Sequence, residues 1–337
     1  MGTLQARQKR EWAVKHSRRR LVQAVVLVLV LSVAGCAPGQ ESGPVTIGVR
    51  TSNCQTPFYV ADRQGLYEER GAEVTVQLVP TNTEIIEAMK RGDFQMGSLP
   101  VTTAIAAIAN GAPLHIVAVT GRGSDGILVR KGDGITEVAD LRGKKVATIR
   151  ASILDVLLRN TLEQADIDPE RDLELLYFGK LGDMISALKT GQVDATSNTE
   201  PFMTDAERQG WAQILTYYTA DWPDHPCCIV LASDAFGRQR SETLRSILSA
   251  HCEAVDWASD NPGEAAQILV DTLGAFDRDL VESTFSPSKM RFDYSVRSGE
   301  VERMAALMVR YGLIDEVPHG YDLLNLKPLE EALEGRT

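Results

Sequence analysis

The 337-residue chain carries 46 Asp and Glu against 35 Lys and Arg, a formal charge of −11, and 44% of its residues are hydrophobic. That is enough apolar material for two domains of ordinary size. The acidic excess argues against nucleic acid or anionic lipid as partners.

The N-terminus differs in kind from the rest. Residues 1–20 hold seven Lys/Arg against the single acid Glu11, and a 15-residue apolar run, LVQAVVLVLVLSVAG, follows. The run is short for a membrane span, which needs about 20 apolar residues, and it reads as a targeting segment. Val33-Ala34-Gly35-Cys36 resembles a bacterial lipobox, in which small residues admit the peptidase and the cysteine thiol takes a diacylglycerol. Residues 1–35 are therefore expected to be a lipoprotein signal peptide, Cys36 the lipidated residue and 36–44 a flexible Gly/Pro-rich tether. Ser17-Arg18-Arg19 leaves Sec and twin-arginine export both open. Losing seven positive charges and one negative takes the remaining chain from −11 to −17.

From residue 45 the chain alternates strand and helix signals. Strands are expected over 45–50, 73–79, 94–99 and 115–120, with helices over 58–69, 83–91 and 101–110 between them. A β-rich run bounded by glycine, 125–131, follows. A second series has strands over 145–149, 173–178, 193–198 and 214–218 and helices over 153–164, 183–190 and 202–210. Another apolar run, 227–233, precedes a stretch that looks wholly helical: 242–259, 263–273, 279–283, 299–311 and 328–333. Each β-α-β-α-β-α-β series predicts a mainly parallel sheet flanked by helices.

The two series repeat one another. EIIEAMKRGDFQMGSLP (84–100) resembles DMISALKTGQVDATSNTEP (183–201), setting Ala88, Gly92 and Ser98 against Ala187, Gly191 and Ser197 at an offset of 99. VTIGVRTS (45–52) resembles KVATIRAS (145–152) at an offset of 100, setting Arg50 against Arg150 and Ser52 against Ser152. The expected architecture is α/β and two-lobed. Residues 45–124 plus 229–337 form lobe 1, 125–228 form lobe 2, and the two β-rich runs are crossover strands.

This order of features resembles the substrate-binding components of ABC importers, in the nitrate/sulfonate/taurine and thiamine-pyrimidine-precursor branch of the type II periplasmic-binding-protein fold. Its carriers are IGVRTSNCQTPFYVADRQGLYEERGAEVTV, AMKRGDFQMGSLP, LRGKKVATIRAS, ALKTGQVDATSNTEP and NPGEAAQIL; the chain departs from the pattern at Cys54 and at DHPCC. The resemblance implies an extracytoplasmic, lipid-anchored, monomeric receptor. It would capture a small organic solute, a sulfonate-like anion or a heteroaromatic such as a thiamine-pyrimidine precursor. Delivery would be to a permease and its ATPase, with the membrane met only through the anchor.

In open α/β sheets ligands sit beyond the carboxyl ends of the strands, where helix N-termini offer unpaired N–H groups. That places site candidates at Ser52, Asn53, Cys54, Thr81, Asn82, Ser98, Arg122 and Ser124 in the first half. The second half contributes Arg150, Ser152, Phe178, Gly179, Asn198, Thr199, Glu200, His225, Cys227 and Cys228. Ser98 and Ser152 serve equally well as helix caps, and Arg150 as the partner of a surface carboxylate. His225, Cys227 and Cys228, with Cys54, offer a soft donor set that a metal-binding receptor could use. Against it, adjacent cysteines on a regular strand point to opposite faces and the spacing is not a zinc pattern, so the expectation is no metal and no cofactor. Disulfides are not legible in the cysteine spacing. Catalysis is not expected: Ser/His/Asp order, P-loop and dinucleotide fingerprint are all missing, although a pyrimidine-synthesising enzyme of the same fold is the alternative.

Overall fold

The computed structural model describes residues 43–336; the expected signal peptide, Cys36 and the tether as far as residue 42 lie outside the described residues. Two sheets carry the fold. Strands β1 (Val45–Val49), β2 (Val74–Leu78), β3 (Met96–Pro100) and β4 (Leu114–Gly123) belong to the first. Strands β5 (Asp125–Arg130), β6 (Lys145–Thr148), β7 (Glu174–Tyr177), β8 (Ala195–Thr199) and β9 (Ala212–Tyr217) make the second. The chain then returns through β10 (Pro226–Ser233) and adds β11 (Met290–Phe292) to the first sheet.

The sheet orders are β11-β4-β10-β3-β1-β2 and β7-β6-β8-β5-β9. Apart from the edge strand β11 they share one plan. Three parallel strands come first, then one antiparallel strand, then the fourth strand of that half. The inserted strand always comes from the crossing: β5 pairs with β8 and β9, and β10 pairs with β3 and β4. Every residue of β10 and all but the last of β5 are buried, which explains why these segments read as continuous apolar runs rather than alternating ones.

The repeated phrase has two physical halves. Helices Asn82–Arg91 and Leu181–Thr190 both end on a left-handed glycine, Gly92 (φ 84°) and Gly191 (φ 78°). Asp93 N donates to Ala88 O and Gln192 N to Ala187 O, both at 2.9 Å, closing the same C-terminal motif. Ala88 and Ala187 are buried beneath it. This part of the phrase therefore sits where each helix turns back into a strand, and only its Ser-to-Pro end reaches the carboxyl edge of β3 and β8.

Three expectations are corrected. The helix expected over 58–69 is two, Thr56–Arg63 and Leu66–Glu69, because Gly65 between them is left-handed (φ 71°). The return strand begins at Pro226, where it pairs with Arg122, so Cys227 and Cys228 belong to the first sheet and not to the second unit. The segment after 233 is not wholly helical, since Met290–Phe292 pairs antiparallel with Gly121–Gly123 at the edge of β4.

Helix Ser241–Asp260 lays nine buried residues, among them Leu244, Leu248, His251 and Cys252, over the first sheet's helices. Contacts also join the two sheet units. Lys289 Nζ donates to Thr204 Oγ1 (2.9 Å) and Arg208 to Asp279 O (3.0 Å). Tyr311 OH donates to Glu163 (3.0 Å), and the rings of Phe202 and Phe276 meet edge-on at 5.3 Å.

Candidate functional site at the crossing strands

Five chemically active side chains meet where the chain crosses between sheets: Cys54, Asp125, His225, Cys227 and Cys228, each 5% exposed or less. Cys54 lies in a single 3-10 turn, Asn53–Gln55, held from several sides. Ser52 accepts from Cys54 N (3.3 Å), Thr120 Oγ1 donates to Cys54 O (2.9 Å), and Asn53 Nδ2 donates to Thr284 Oγ1 (2.7 Å). Gly121 leaves the space for it, since a Cβ there would lie 2.9 Å from both Cβ and Sγ of Cys54.

Cys227 and Cys228 do not point to opposite faces. Their sulfurs are 3.8 Å apart. The cause is a break in the ladder: register against β4 shifts between Pro226 and Cys228 and again between Cys228 and Ile229. Such a bulge re-aims a side chain that regular alternation would send away. The three thiols of Cys54, Cys227 and Cys228 consequently lie within 4.8 Å of one another, and Met290 Sδ on the edge strand lies 3.8 Å from Cys54 Sγ.

The three thiols shift one another's ionisation in opposite directions. Hydrogen bonds from Cys227 and Cys228 hold the Cys54 thiol well below the usual thiol range, against the opposing effect of burial. Cys227 is pushed up by its bonds to Cys228 and Cys54 and by burial. For Cys228 the bond with Cys227 acts downward, but the bond to Cys54 and burial prevail and it also rises. Burial likewise raises Asp125, with His225 opposing. Asp125 Oδ2 and His225 Nε2 face each other at 3.8 Å, an ion-pair distance too long for a hydrogen bond. The other His225 nitrogen sits 3.2 Å from Trp222 O.

The second sheet supplies a polar rim. Ser124, left-handed at φ 85°, has its hydroxyl 2.9 Å from Thr199 Oγ1. Glu200, 1% exposed, accepts from Thr204 N (3.1 Å), Thr204 Oγ1 (2.8 Å) and Tyr217 OH. Asn198 is turned to its own chain, accepting from Thr199 N (2.9 Å) and donating to Leu181 O (3.3 Å). Ser98 Oγ, Thr102 Oγ1 and Thr148 Oγ1 are buried with no hydrogen-bond partner among the described residues, as are both polar atoms of the Gln55 side chain.

Several candidates lie elsewhere or are engaged. The Arg122 guanidinium is 1% exposed and fully occupied by Asp293 (2.6 Å), Ser295 O (2.7 Å), Glu300 (3.0 Å) and Asp224 O. Arg150 is exposed and stacks on Tyr177, with 3.9 Å from Cζ to the ring centroid. It lines an open cavity with Asp155, Arg159 and Tyr311, away from the crossing. Ser152 caps helix Ile153–Gln164, and Ser52 caps the 3-10 turn. Asn82 is half-buried beside Thr103, and the cap of its helix is Thr81. Phe178 is half-buried at the end of β7, donating its N–H to Thr148 O (2.9 Å), with Gly179 exposed beside it.

Sequence reasoning missed Asp125, Gln55, Thr102, Thr148 and Met290. Asp125 carried a signal, as an acid opening an otherwise apolar crossing strand; Met290 carried none.

Two α/β units that exchange one strand each, with polar residues sealed at the strand ends between them, define the two-lobed type II periplasmic-binding-protein fold. The chain belongs to the NMT1-like family, which matches residues 38–273. It is 27% identical over 259 residues to an Escherichia coli (strain K12) protein named for binding aliphatic sulfonates, covering 76% of this chain and 80% of that one. It is 33% identical over 240 residues to 4-amino-5-hydroxymethyl-2-methylpyrimidine phosphate synthase THI13 of Saccharomyces cerevisiae (strain ATCC 204508 / S288c), covering 66% and 69%. Among solved structures, the periplasmic aliphatic sulphonate binding protein SsuA from Escherichia coli superposes with a TM-score of 0.75 at 22% identity, over 85% of this chain and 92% of that one. The periplasmic nitrate-binding protein NrtA from Synechocystis PCC 6803 gives 0.77 at 16%, over 88% and 89%.

Proposed function

We propose that the protein is an extracytoplasmic solute-binding lipoprotein that captures a small organic solute between its two sheet units and delivers it to an ABC permease and its ATPase. The observation that carries this reading is the set of buried side chains without hydrogen-bond partners among the described residues on or just after β1, β3 and β6: Gln55, Ser98 and Thr102 in the first unit, Thr148 in the second. Burying such groups unpaired costs about 1–3 kcal/mol each, and a bound solute's polar groups would offset that cost. In this reading the lobes are 45–124 with the C-terminal part of the chain and 125 to the return strand, and Cys36 is the acylated anchor. The solute class is a sulfonate-like anion or a heteroaromatic. Hydroxyl and amide donors suit either, and the buried Asp125 and Glu200 disfavour a bare inorganic anion.

Native mass spectrometry of freshly purified protein tests the reading. One small organic molecule per chain, released unchanged on denaturation, is expected. The likeness to a pyrimidine synthase supplies the rival, an enzyme; consumption of the recovered solute on incubation with the protein would replace the receptor reading with that one. Anchoring is separable: Cys36→Ser should leave unprocessed or released protein, and an acylated, processed variant would refute the lipobox assignment.

A further inference from the structure

We infer that Cys54, Cys227, Cys228 and Met290 form a binding site for a single thiophilic d10 dication of the Zn2+ class. The inference stands apart from the importer reading, since it depends on the sulfur cluster and not on the solute. Zinc–thiolate bonds are about 2.3 Å, which sets the edge of a sulfur tetrahedron at about 3.8 Å. Two sulfur pairs already have that separation, Cys227–Cys228 and Cys54–Met290, both at 3.8 Å. The remaining thiol separations are within 4.8 Å, so an adjustment of about 1 Å brings the three thiols to that edge length.

The backbone around these sulfurs is built for their convergence. The bulge in β10 turns two consecutive thiols to one side, Gly121 clears room for the third, and β11 brings the thioether to the sheet edge. An ordinary apolar core needs none of these devices. His225, fully buried, has Nε2 without a hydrogen-bond partner among the described residues. Three thiolates and a thioether are soft donors, which select Zn2+ or Cu+ over hard cations. A dication cancels two thiolate charges where a monocation cancels one, so burial favours the Zn2+ class. Binding displaces the thiol protons to solvent, and the ion enters when the contacts between the sheet units open.

The test adds Zn2+ alone to the whole protein, kept reduced by a non-chelating reductant. One ion per chain is expected, and X-ray absorption should show sulfur scatterers at about 2.3 Å. Cys54→Ser, Cys227→Ser and Cys228→Ser should each weaken binding by more than the roughly 10- to 100-fold typical of losing an outer-shell partner. Cys252→Ala, in a buried thiol outside the cluster, should change nothing. A zinc shell of nitrogen and oxygen only, no uptake by protein with free thiols, or undiminished affinity in the triple Ser variant would each overturn the inference. The absorption measurement on the wild-type protein decides the case even if a variant fails to fold.

Discussion

The loops after β1 and β6 occupy the same place in a repeated sheet, and their fates diverge. After β1, Asn53, Cys54 and Gln55 are at most 2% exposed, locked by Thr120, Thr284 and the C-terminal strand β11. After β6, Arg150 and Ala151 are exposed, and the loop opens onto a cavity beside Tyr177 and Tyr311. The difference comes from what covers each sheet. The residues after 233 pack chiefly on the first, so the same local sequence becomes a buried anchor in one half and a solvent-facing edge in the other. Internal similarity therefore predicts topology well and side-chain role poorly.

The two arginines sharpen this contrast most. Arg122→Ala would strand Asp293 and Glu300 beside a buried hole and should cost about 3–5 kcal/mol in denaturant unfolding. A loss below about 1 kcal/mol would mean that the C-terminal segment does not depend on this arginine.

The cover over the first sheet should also be acid-sensitive. His251, stacked on Phe58 with ring centroids 4.9 Å apart, has its pKa pushed down from 6.5 to about 4 by burial, against a hydrogen bond to Val119 O. The unfolded chain binds this proton more readily, so stability is fullest above pH about 6.5 and falls as pH drops towards about 4, by about 3 kcal/mol in all. His251→Gln should flatten that part of the pH profile. An equally steep fall in the variant would assign the acid sensitivity to other groups.

Gly121→Ala presses a methyl group against Cys54 and should cost about 1–3 kcal/mol of stability while disturbing the sulfur cluster. The smallest effect belongs to the open loop. Arg150→Ala should change stability by no more than about 0.5 kcal/mol and leave solute affinity unaltered, because the side chain sits on Tyr177 outside the crossing. A tenfold loss of affinity would move the site towards the outer cavity.

Both sheets apart from the edge strand β11, most of their helices and the two crossings were legible, because strand runs and helix periods recur with turn glycines such as Gly92 and Gly191 at matching offsets. Of the site, strand order alone put His225, Cys227 and Cys228 at the return crossing and Cys54 in the loop after the first strand. What could not be read was which side chains the rest of the chain had already engaged. Arg122 looks like an anion ligand until Asp293 and Glu300, more than 170 residues away, are seen to occupy it. The shared face of Cys227 and Cys228 was also hidden, since a bulge depends on the partner strand's register and leaves no mark in a dipeptide.

Hydrogen exchange with the recovered solute addresses the central claim directly. Capture between the two units predicts simultaneous protection of the amides around Gln55, 98–102, 123–126 and 225–228 on the first crossing side and around Thr148 and 199–204 on the second. Protection confined to one sheet, or to the loop at Arg150 and Tyr177, would contradict it.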